Sequence, residues 1–354
     1  MLWRTCGALK RVEVCYSLAL VALSKGGRIS QATALNPSAA IVGAGAIGAW
    51  IGDALDRAGW AVSMLARGPT LAALRSGGLV VERGGEARHS RPQAGSPPEL
   101  GIHDYVFLTV KAQVLPELAP SLSPLIGPAT VVISGTNGIP WWFFHDFGGV
   151  LANHSLQSVD PGQSQERTFP RKRILGSVVH ASARVLAPAH IQVVAADRLI
   201  LGEPSGEVTD RVRAVVNGLR AGGVNAEISA QIRHDVWAKL WGNMNMNPLS
   251  ALTRSGTSKM LADPEVRELC VRMMEEMQAC ARHLDLQSSM TPAERIAVTQ
   301  RLGDFRTSML ADLEAGRPLE LAPQLGAVAE IALRLDVPAP FVRTILGLTR
   351  LLSA

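Results

Sequence analysis

From Ala39 onward, apolar residues occur first in a short run, then at helical spacing after a glycine turn, and then in a second short run. Short apolar runs of this length are typical of buried strands, and the spacing between them is typical of a helix. We therefore predict a strand from Ala39, a helix to about Ala58, and a second strand over 61–65. A strand, a helix and a strand in this order indicate a β-α-β unit of a parallel sheet.

Further β-branched and apolar runs extend this pattern. They predict strands over 79–82, 105–110 and 131–134, with a helical pattern around 115–122. Between 174 and 201, three stretches predict antiparallel strands added to the sheet: SVVHASARVL, HIQVVA and RLILG. A helix over 208–220 and a strand over 225–228 complete the unit. The stretch 84–101 resembles a linker in composition, and we expect it to be a surface loop.

After Ser229 the strand signals stop, and apolar residues recur at helical spacing to the C-terminus. The 354 residues exceed what one hydrophobic core usually supports, which favours two domains. We predict an α/β fold with a Rossmann-type dinucleotide-binding domain over 39–229 and an all-helical substrate-binding domain over 230–354. Residues 1–38 are expected to lie outside the fold.

The N-terminal segment has three interpretations. The apolar run VCYSLALVAL follows Arg4, Lys10 and Arg11, as in a signal peptide, and ATA at 32–34 resembles a cleavage site. The run is too short to span a bilayer, which takes about 20 residues. An organellar transit segment is a second interpretation. We favour a third, in which translation is assigned to a start codon upstream of the true one.

Composition and charge exclude several classes of protein. A hydrophobic fraction of 47% with 18% charged residues is too apolar for a disordered chain. Of the net charge of +5, the first 38 residues carry +4, from five basic residues and one acidic residue. The remainder has no basic stripe for nucleic acid. Four cysteines without a C-x-x-C pair favour a reducing compartment, the cytoplasm. No histidine or cysteine cluster predicts a metal, and no membrane partner is expected.

The turn after the first strand has the spacing G-x-G-x-x-G, formed by Gly43, Gly45 and Gly48. In this motif the first glycine permits a tight turn, the second lets the backbone approach a pyrophosphate, and the third lets helix and strand pack closely. The motif between a strand and a helix predicts dinucleotide binding by the six residues Gly43, Ala44, Gly45, Ala46, Ile47 and Gly48.

The end of the second strand indicates which dinucleotide binds. A site that prefers NAD usually has an acidic residue there to hold the ribose 2'-hydroxyl. Here the residue is Arg67, which suits a 2'-phosphate, so we predict NADP as the cofactor. A solvated arginine with no ligand is the alternative.

A predicted helix that opens the second domain carries Lys239, Asn243 and Asn247 at intervals of four residues, and hence on one face. Bulky apolar residues occupy the positions between them. Polar groups in such surroundings are costly unless they meet a ligand or each other. A lysine there could donate a proton to a reacting oxygen. By spacing alone, a surface lysine and ordinary helix asparagines are an equally good interpretation.

Five motifs in order resemble those of the 2-dehydropantoate 2-reductases, also called ketopantoate reductases. They are IVGAGAIG, LTVKA at 108–112, NG at 137–138, KLWGNMNMNPLSALT at 239–253 and SMLADLEAGRPLE at 308–320. The resemblance runs from about Ala40 to the C-terminus. It implies a Rossmann domain followed by a helical domain like the C-terminal domain of 6-phosphogluconate dehydrogenase.

The resemblance also implies an activity, the reduction of 2-dehydropantoate to (R)-pantoate with NADPH in pantothenate and coenzyme A biosynthesis, by a monomer or a homodimer. It implies that Lys239 is the general acid and Lys111 a cofactor residue, and that Asn137 lies beside both the nicotinamide and the substrate. The implied substrate contacts are Asn137, Asn243, Asn247, Ser308 and Glu320. Gly316 and Pro318 resemble a helix stop and a helix start, so two helices could bring Ser308 and Glu320 together.

The sequence departs from the family pattern at two internal positions. The second glycine of N-G-x-G is Pro140, followed by the aromatic run WWFF at 141–144, which could reshape the substrate pocket or form a packed loop or a subunit contact. A glutamine often found three residues after Lys111 is Val114 here, with Gln113 one place earlier. Two further hypotheses therefore stand beside the reductase: an NADPH-dependent reductase of another 2-oxo acid or carbonyl compound, and a non-catalytic NADP(H)-binding sensor.

Overall fold

The computed structural model describes residues 36–352. Almost all of the N-terminal segment discussed above, with its signal-like, transit and upstream-start interpretations, therefore lies outside the described residues. The described chain begins just before the first strand, at Asn36.

A single ten-stranded sheet organises the first two-thirds of the described chain. Its strands are β1 (Ser38–Val42), β2 (Ala61–Leu65), β3 (Leu79–Arg83), β4 (Glu86–Ser90), β5 (Gln93–Gly95), β6 (Tyr105–Leu108), β7 (Val131–Ser134), β8 (Ile174–Ala187), β9 (His190–Gly202) and β10 (Asn225–Ile228). The order across the sheet is β4-β3-β9-β8-β7-β6-β1-β2-β5, with β10 paired to β9. The β3–β4 and β8–β9 pairs are antiparallel and the other pairs are parallel.

Helices connect the strands and form the rest of the chain. Those of the first part are α1 (Ala46–Arg57), α2 (Gly68–Gly77), α3 (Pro97–Leu100), α4 (Leu115–Leu118), α5 (Ser164–Thr168) and α6 (Asp210–Ala221). Those that follow the last strand are α7 (Ile232–Thr253), α8 (Thr257–Ala262), α9 (Pro264–Leu284), α10 (Pro292–Arg301), α11 (Ser308–Glu314), α12 (Ala327–Arg334) and α13 (Pro340–Arg350). The predicted fold class, a Rossmann-type α/β part followed by helices, is confirmed.

Two local expectations were wrong, and a third was correct only in part. The stretch 84–101 is not a simple loop, since it contains β4, β5 and α3. HIQVVA and RLILG are one continuous strand, β9, because the long hairpin partner β8 continues the pairing past Asp197. The helical pattern around 115–122 is confirmed, but it is divided between α4 and a 3-10 helix, Ala119–Leu125, because prolines at 120 and 124 remove amide donors that a continuous α-helix needs.

The hydrophobic core lies on both faces of the sheet. One face packs against α1 and α6, whose buried residues include Ala49, Leu55 and Val215. The other face packs against the segment around Leu115 and Leu122, and this cluster continues without a break into α7, α9 and α12. The carboxyl ends of β1, β6 and β7 therefore lie near the start of the helical part, which positions the candidate site.

None of the helices in the described part of the chain is long and apolar enough to cross a membrane. In residues 36–352 there is also no group of three or more His, Cys, Asp or Glu side chains arranged to hold a metal ion.

Candidate active site

The glycine turn has a distinct geometry at each of its three glycines. Gly43 has φ +108°, which disfavours side chains, and its amide donates to the carbonyl of Leu65 on β2 (3.2 Å). A Cβ on Gly48 would lie 2.0 Å from the carbonyl oxygen of Gly43, so α1 can approach β1 only with glycine there. A Cβ on Gly45 would meet no atom within 4 Å, and this side of the turn is therefore open to a ligand.

The other residues predicted to bind the cofactor surround this opening. Ala44, Ala46 and Ile47 are half-buried between the turn and the first turn of α1. Arg67 is the second residue after β2 and the N-cap of α2, and its side chain is exposed. Within 36–352 the guanidinium of Arg67 has no ion-pair or hydrogen-bond partner, so it is available to an anion.

Lys239 extends from α7 to the loop after β7 and to strand β8. Its Nζ donates hydrogen bonds to Asn137 Oδ1 (2.8 Å) and to the carbonyl of Val179 (2.7 Å). Burial lowers the pKa of Lys239 to about 8, and the nearby carboxylate of Glu320 opposes that shift only in part. The structure thus brings the predicted acid together with Asn137 and near Glu320. A lysine with this pKa is a far better proton donor at neutral pH than an exposed one.

A second lysine, Lys111, lies in the same region, and its pKa is shifted in the opposite direction to that of Lys239. Lys111 Nζ lies 2.6 Å from Asp312 Oδ2 and 3.4 Å from Glu320 Oε2. Burial would lower the pKa of Lys111, but the carboxylates of Glu320 and Asp312 outweigh it and raise the pKa above its usual value. Glu320 also accepts a hydrogen bond from the backbone amide of Ala112 (3.0 Å). Lys111 therefore holds Glu320 in position and stays charged.

Of the remaining predicted substrate residues, one is hydrogen-bonded within the protein and two have no hydrogen-bond partner in the described chain. Asn247 is buried and its Nδ2 donates to Gln324 Oε1 (2.9 Å), in a π-helical segment, Ala322–Gly326. Asn243 is half-buried and Ser308 is exposed, and neither side chain has a hydrogen-bond partner within 36–352. The structure thus joins Lys239, Asn137, Glu320 and Lys111 by direct contacts or charge interactions, while it leaves Asn243 and Ser308 without a protein partner.

The chain between Ser308 and Glu320 differs from the expectation of two successive helices. Helix α11 ends at Glu314 and Gly316 has φ +63°, as expected for a helix stop. No helix starts at Pro318: residues 317–321 have no regular structure, and the next helical segment begins at Ala322. Glu320 is therefore not a first-turn carboxylate of a helix, and its side chain points to Lys111 and Ala112 instead.

The aromatic run 141–144 forms core. All four side chains are at most 4% exposed. Trp142 donates through Nε1 to Ser134 Oγ (2.8 Å), and Phe143 stacks on Trp237 of α7 with ring centroids 6.2 Å apart. Of the interpretations offered for the departure at Pro140, the structure supports the packed loop.

Sequence reasoning missed two buried polar residues. Asp312 is 4% exposed and pairs with Lys111, and Gln324 is 1% exposed and pairs with Asn247. Each lies four residues after a residue that was predicted, Ser308 and Glu320 respectively. That spacing is the only signal in the sequence that could have indicated them.

Comparisons with known proteins cover nearly all of the described chain. The family model described as ketopantoate reductase PanE/ApbA matches residues 39–206, and its C-terminal counterpart matches 231–353. A 2-dehydropantoate 2-reductase of Mesorhizobium japonicum is 39% identical over 88% of this chain and 97% of its own length.

Solved structures are similar over the same range. One from Ralstonia solanacearum MolK2, assigned to the ketopantoate reductases, is 40% identical with a TM-score of 0.86, covering 90% of this chain and 98% of its own. A 2-dehydropantoate 2-reductase from Geobacter metallireducens GS-15 is 25% identical with a TM-score of 0.76, covering 89% and 99%.

Proposed function

Because the chain belongs to the ketopantoate reductase PanE/ApbA family of oxidoreductases, we propose that it reduces 2-dehydropantoate to (R)-pantoate with NADPH. This reaction is a step of pantothenate and coenzyme A biosynthesis. The observation that carries the proposal is Lys239, a buried lysine whose pKa is lowered to about 8 and whose ammonium faces Asn137 and Glu320.

A ketone that receives a hydride becomes an alkoxide, which must be protonated. The reduced nicotinamide supplies that hydride when it is bound. Lys239 then has two roles in our proposal: its positive charge stabilises the developing negative charge on the oxygen, and its proton neutralises the alkoxide. With a pKa near 8, the ammonium is still mostly protonated at pH 7 and gives up its proton readily.

The residues of the glycine turn fit a dinucleotide. Gly45 leaves open space beside the backbone, and Gly43 and Gly48 hold the turn tightly against β2 and α1. The exposed guanidinium of Arg67 near the end of β2 supports NADP over NAD, because a 2'-phosphate would give it the charged partner that it lacks among residues 36–352. We assign Gly43 to Gly48, Arg67, Lys111 and Asn137 to the cofactor site.

We assign substrate binding to Asn137, Asn243, Asn247, Ser308 and Glu320. Glu320 is held by Lys111 and the amide of Ala112, so its carboxylate is oriented before a ligand arrives. The unpartnered amide of Asn243 lies one turn of α7 from Lys239, where a ligand of that lysine would meet it. Asn247 contributes by orienting Gln324.

We further propose that 39–229 forms the NADP-binding domain and 230–354 the substrate-binding domain of a cytoplasmic monomer or homodimer. Cys270 and Cys280 are free thiols, as expected in a reducing compartment. Burial raises the pKa of each to about 12 and keeps it protonated and unreactive.

The test is a spectrophotometric assay with a panel of 2-oxo acids, each with NADPH and with NADH. We expect 2-dehydropantoate with NADPH to give the highest kcat/KM. A higher kcat/KM for another 2-oxo acid would assign a different substrate to the same chemistry. No turnover of any 2-oxo acid at millimolar concentration would contradict the proposal and favour a binding-only protein.

A further inference from the structure

Arg295 of α10 is a half-buried cation with no acidic partner in the described part of the chain. Its Nη1 donates to Thr299 Oγ1 (3.0 Å) on the same helix, while Nε and Nη2 make no hydrogen bond to a described residue. Burial lowers the pKa of this guanidinium from its usual value, and no carboxylate offsets that effect. A desolvated cation without a counter-ion is costly for a fold to keep, and an anionic ligand would remove the cost.

The guanidinium lies directly against the helix that carries Lys239. An ideal Cβ on Gly242 of α7 would lie 2.0 Å from Arg295 Nη2 and 2.7 Å from its Cζ. Only glycine at this position leaves room for the cation. Gly242 is three residues after Lys239 and one before Asn243, so these positions share one side of α7. Arg295 is therefore next to the face that bears the proposed acid.

His180 of β8 follows Val179, whose carbonyl accepts from Lys239, and it lies within electrostatic range of the same cations. Its ring is exposed, yet the surrounding protein lowers its pKa to about 4, with further contributions from the charges of Lys239, Arg198 and Arg295. Arg198 is neutralised by a bidentate pair with Glu227 (2.8 and 2.7 Å). Lys239 and Arg295 have no such salt bridge within 36–352.

We propose that Arg295 binds the carboxylate of the 2-oxo acid and so makes the enzyme prefer acids to uncharged carbonyl compounds. The inference rests on the proposed function, because it names a further substrate contact of that site. In a 2-oxo acid the carboxylate is bonded directly to the carbonyl carbon. A site that protonates the carbonyl oxygen with Lys239 therefore needs an anion-binding group close beside that lysine. A guanidinium with two free nitrogens is suited to two hydrogen bonds with one carboxylate.

The test compares Arg295→Gln with wild type on 2-dehydropantoate and on its methyl ester, which has the same carbon skeleton without the charge. We expect KM for the acid to rise roughly 10- to 100-fold, which is the loss of a charged hydrogen-bonded contact, while kcat/KM for the ester changes little. KM for NADPH should stay within about twofold of wild type. Arg301→Gln is the matched control, since Arg301 is an exposed arginine of the same helix.

A second variant tests the same contact without removing the charge. In Gly242→Ala the new methyl group would occupy the position of Nη2, and the flexible end of Arg295 would have to move away. Alanine favours helix, so α7 should remain folded. We expect Gly242→Ala to shift the acid-to-ester ratio of kcat/KM in the same direction as Arg295→Gln.

Binding of the acid is also measured by calorimetry. Together, binding and turnover distinguish a failure of this inference from a failure of the proposed function. Turnover of the acid by wild type with an unchanged acid-to-ester ratio in Arg295→Gln would overturn the inference and leave the reaction standing. Binding of the acid that Arg295→Gln abolishes, without turnover in wild type, would support the anion site and contradict the reaction. Neither binding nor turnover in wild type would contradict both.

Discussion

At the scale of single residues, two lysines near Glu320 have their pKa values moved in opposite directions. Lys239 is desolvated and bonds only to neutral oxygens, so its pKa falls to about 8. Lys111 lies between two carboxylates, so its pKa rises. Titratable groups separated in this way usually divide the chemical work between them. Lys239 can release a proton near neutral pH, whereas Lys111 acts as a fixed charge that orients Glu320.

Substitution of Arg67 tests the cofactor assignment. Arg67→Ala should raise KM for NADPH roughly 10- to 100-fold, because a charged hydrogen-bonded contact to the 2'-phosphate is lost, and should leave KM for NADH nearly unchanged. Initial rates at varied concentrations of each cofactor measure this. Arg213→Ala, which removes an exposed arginine from α6, is the control. Equal effects on both cofactors would show that Arg67 does not discriminate between them.

At the scale of elements, the sequence predicts the apolar strands of the sheet better than it predicts the polar hairpin strand β4. The strands β2, β7 and β10 are predicted at their observed bounds because short apolar runs between turns have few alternatives. The hairpin strand β4 is missed because its residues, EARHS, are polar and largely exposed, so they carry no alternation of apolar positions. Its pairing with β3 and the ion pair of Arg88 with Asp53 on α1 stabilise it instead.

The glycine turn gives a matched pair of variants at this scale. In Gly48→Ala the methyl group would collide with the carbonyl of Gly43, so α1 would have to move and the free energy of unfolding should fall by about 2 to 4 kcal/mol. In Gly45→Ala the methyl group meets open space, so stability should be kept while Kd for NADPH rises about tenfold or more. Urea unfolding and fluorescence titration measure the two effects. Loss of stability in Gly45→Ala, or unchanged cofactor binding, would contradict this account of the turn.

At the scale of the whole molecule, contacts between distant parts of the chain assemble the site. Lys111 and Asp312 are 201 residues apart, Lys239 and Asn137 are 102 apart, and Asn247 and Gln324 are 77 apart. Local pattern cannot reveal such pairs. The motifs predicted Lys111, Asn137, Lys239, Asn247 and Glu320 as site residues, but not that Lys111 pairs with Glu320. They also did not predict that the aromatic run 141–144 is core.

The burial of Lys239 should also be measurable as a pH dependence of global stability. Its pKa is about 8 in the folded protein and near 10.5 when unfolded, so the unfolded state binds more protons between these values. The free energy of unfolding should therefore rise with pH over this window, by about 2 to 3 kcal/mol relative to Lys239→Met. Urea unfolding of both proteins between pH 7 and pH 10.5 gives the difference. A constant difference would indicate that Lys239 is not desolvated in the fold.

The most direct test of the central claim is the pH dependence of kcat/KM for 2-dehydropantoate with NADPH, in wild type and in Lys239→Met. Since the protonated lysine is the active form, kcat/KM of wild type should fall as the pH rises through about 8. Lys239→Met should be slower by roughly 100- to 10,000-fold and should lack this transition. A wild-type profile that is flat through pH 8, or a Lys239→Met enzyme that keeps wild-type turnover, would contradict the assignment of Lys239 as the proton donor.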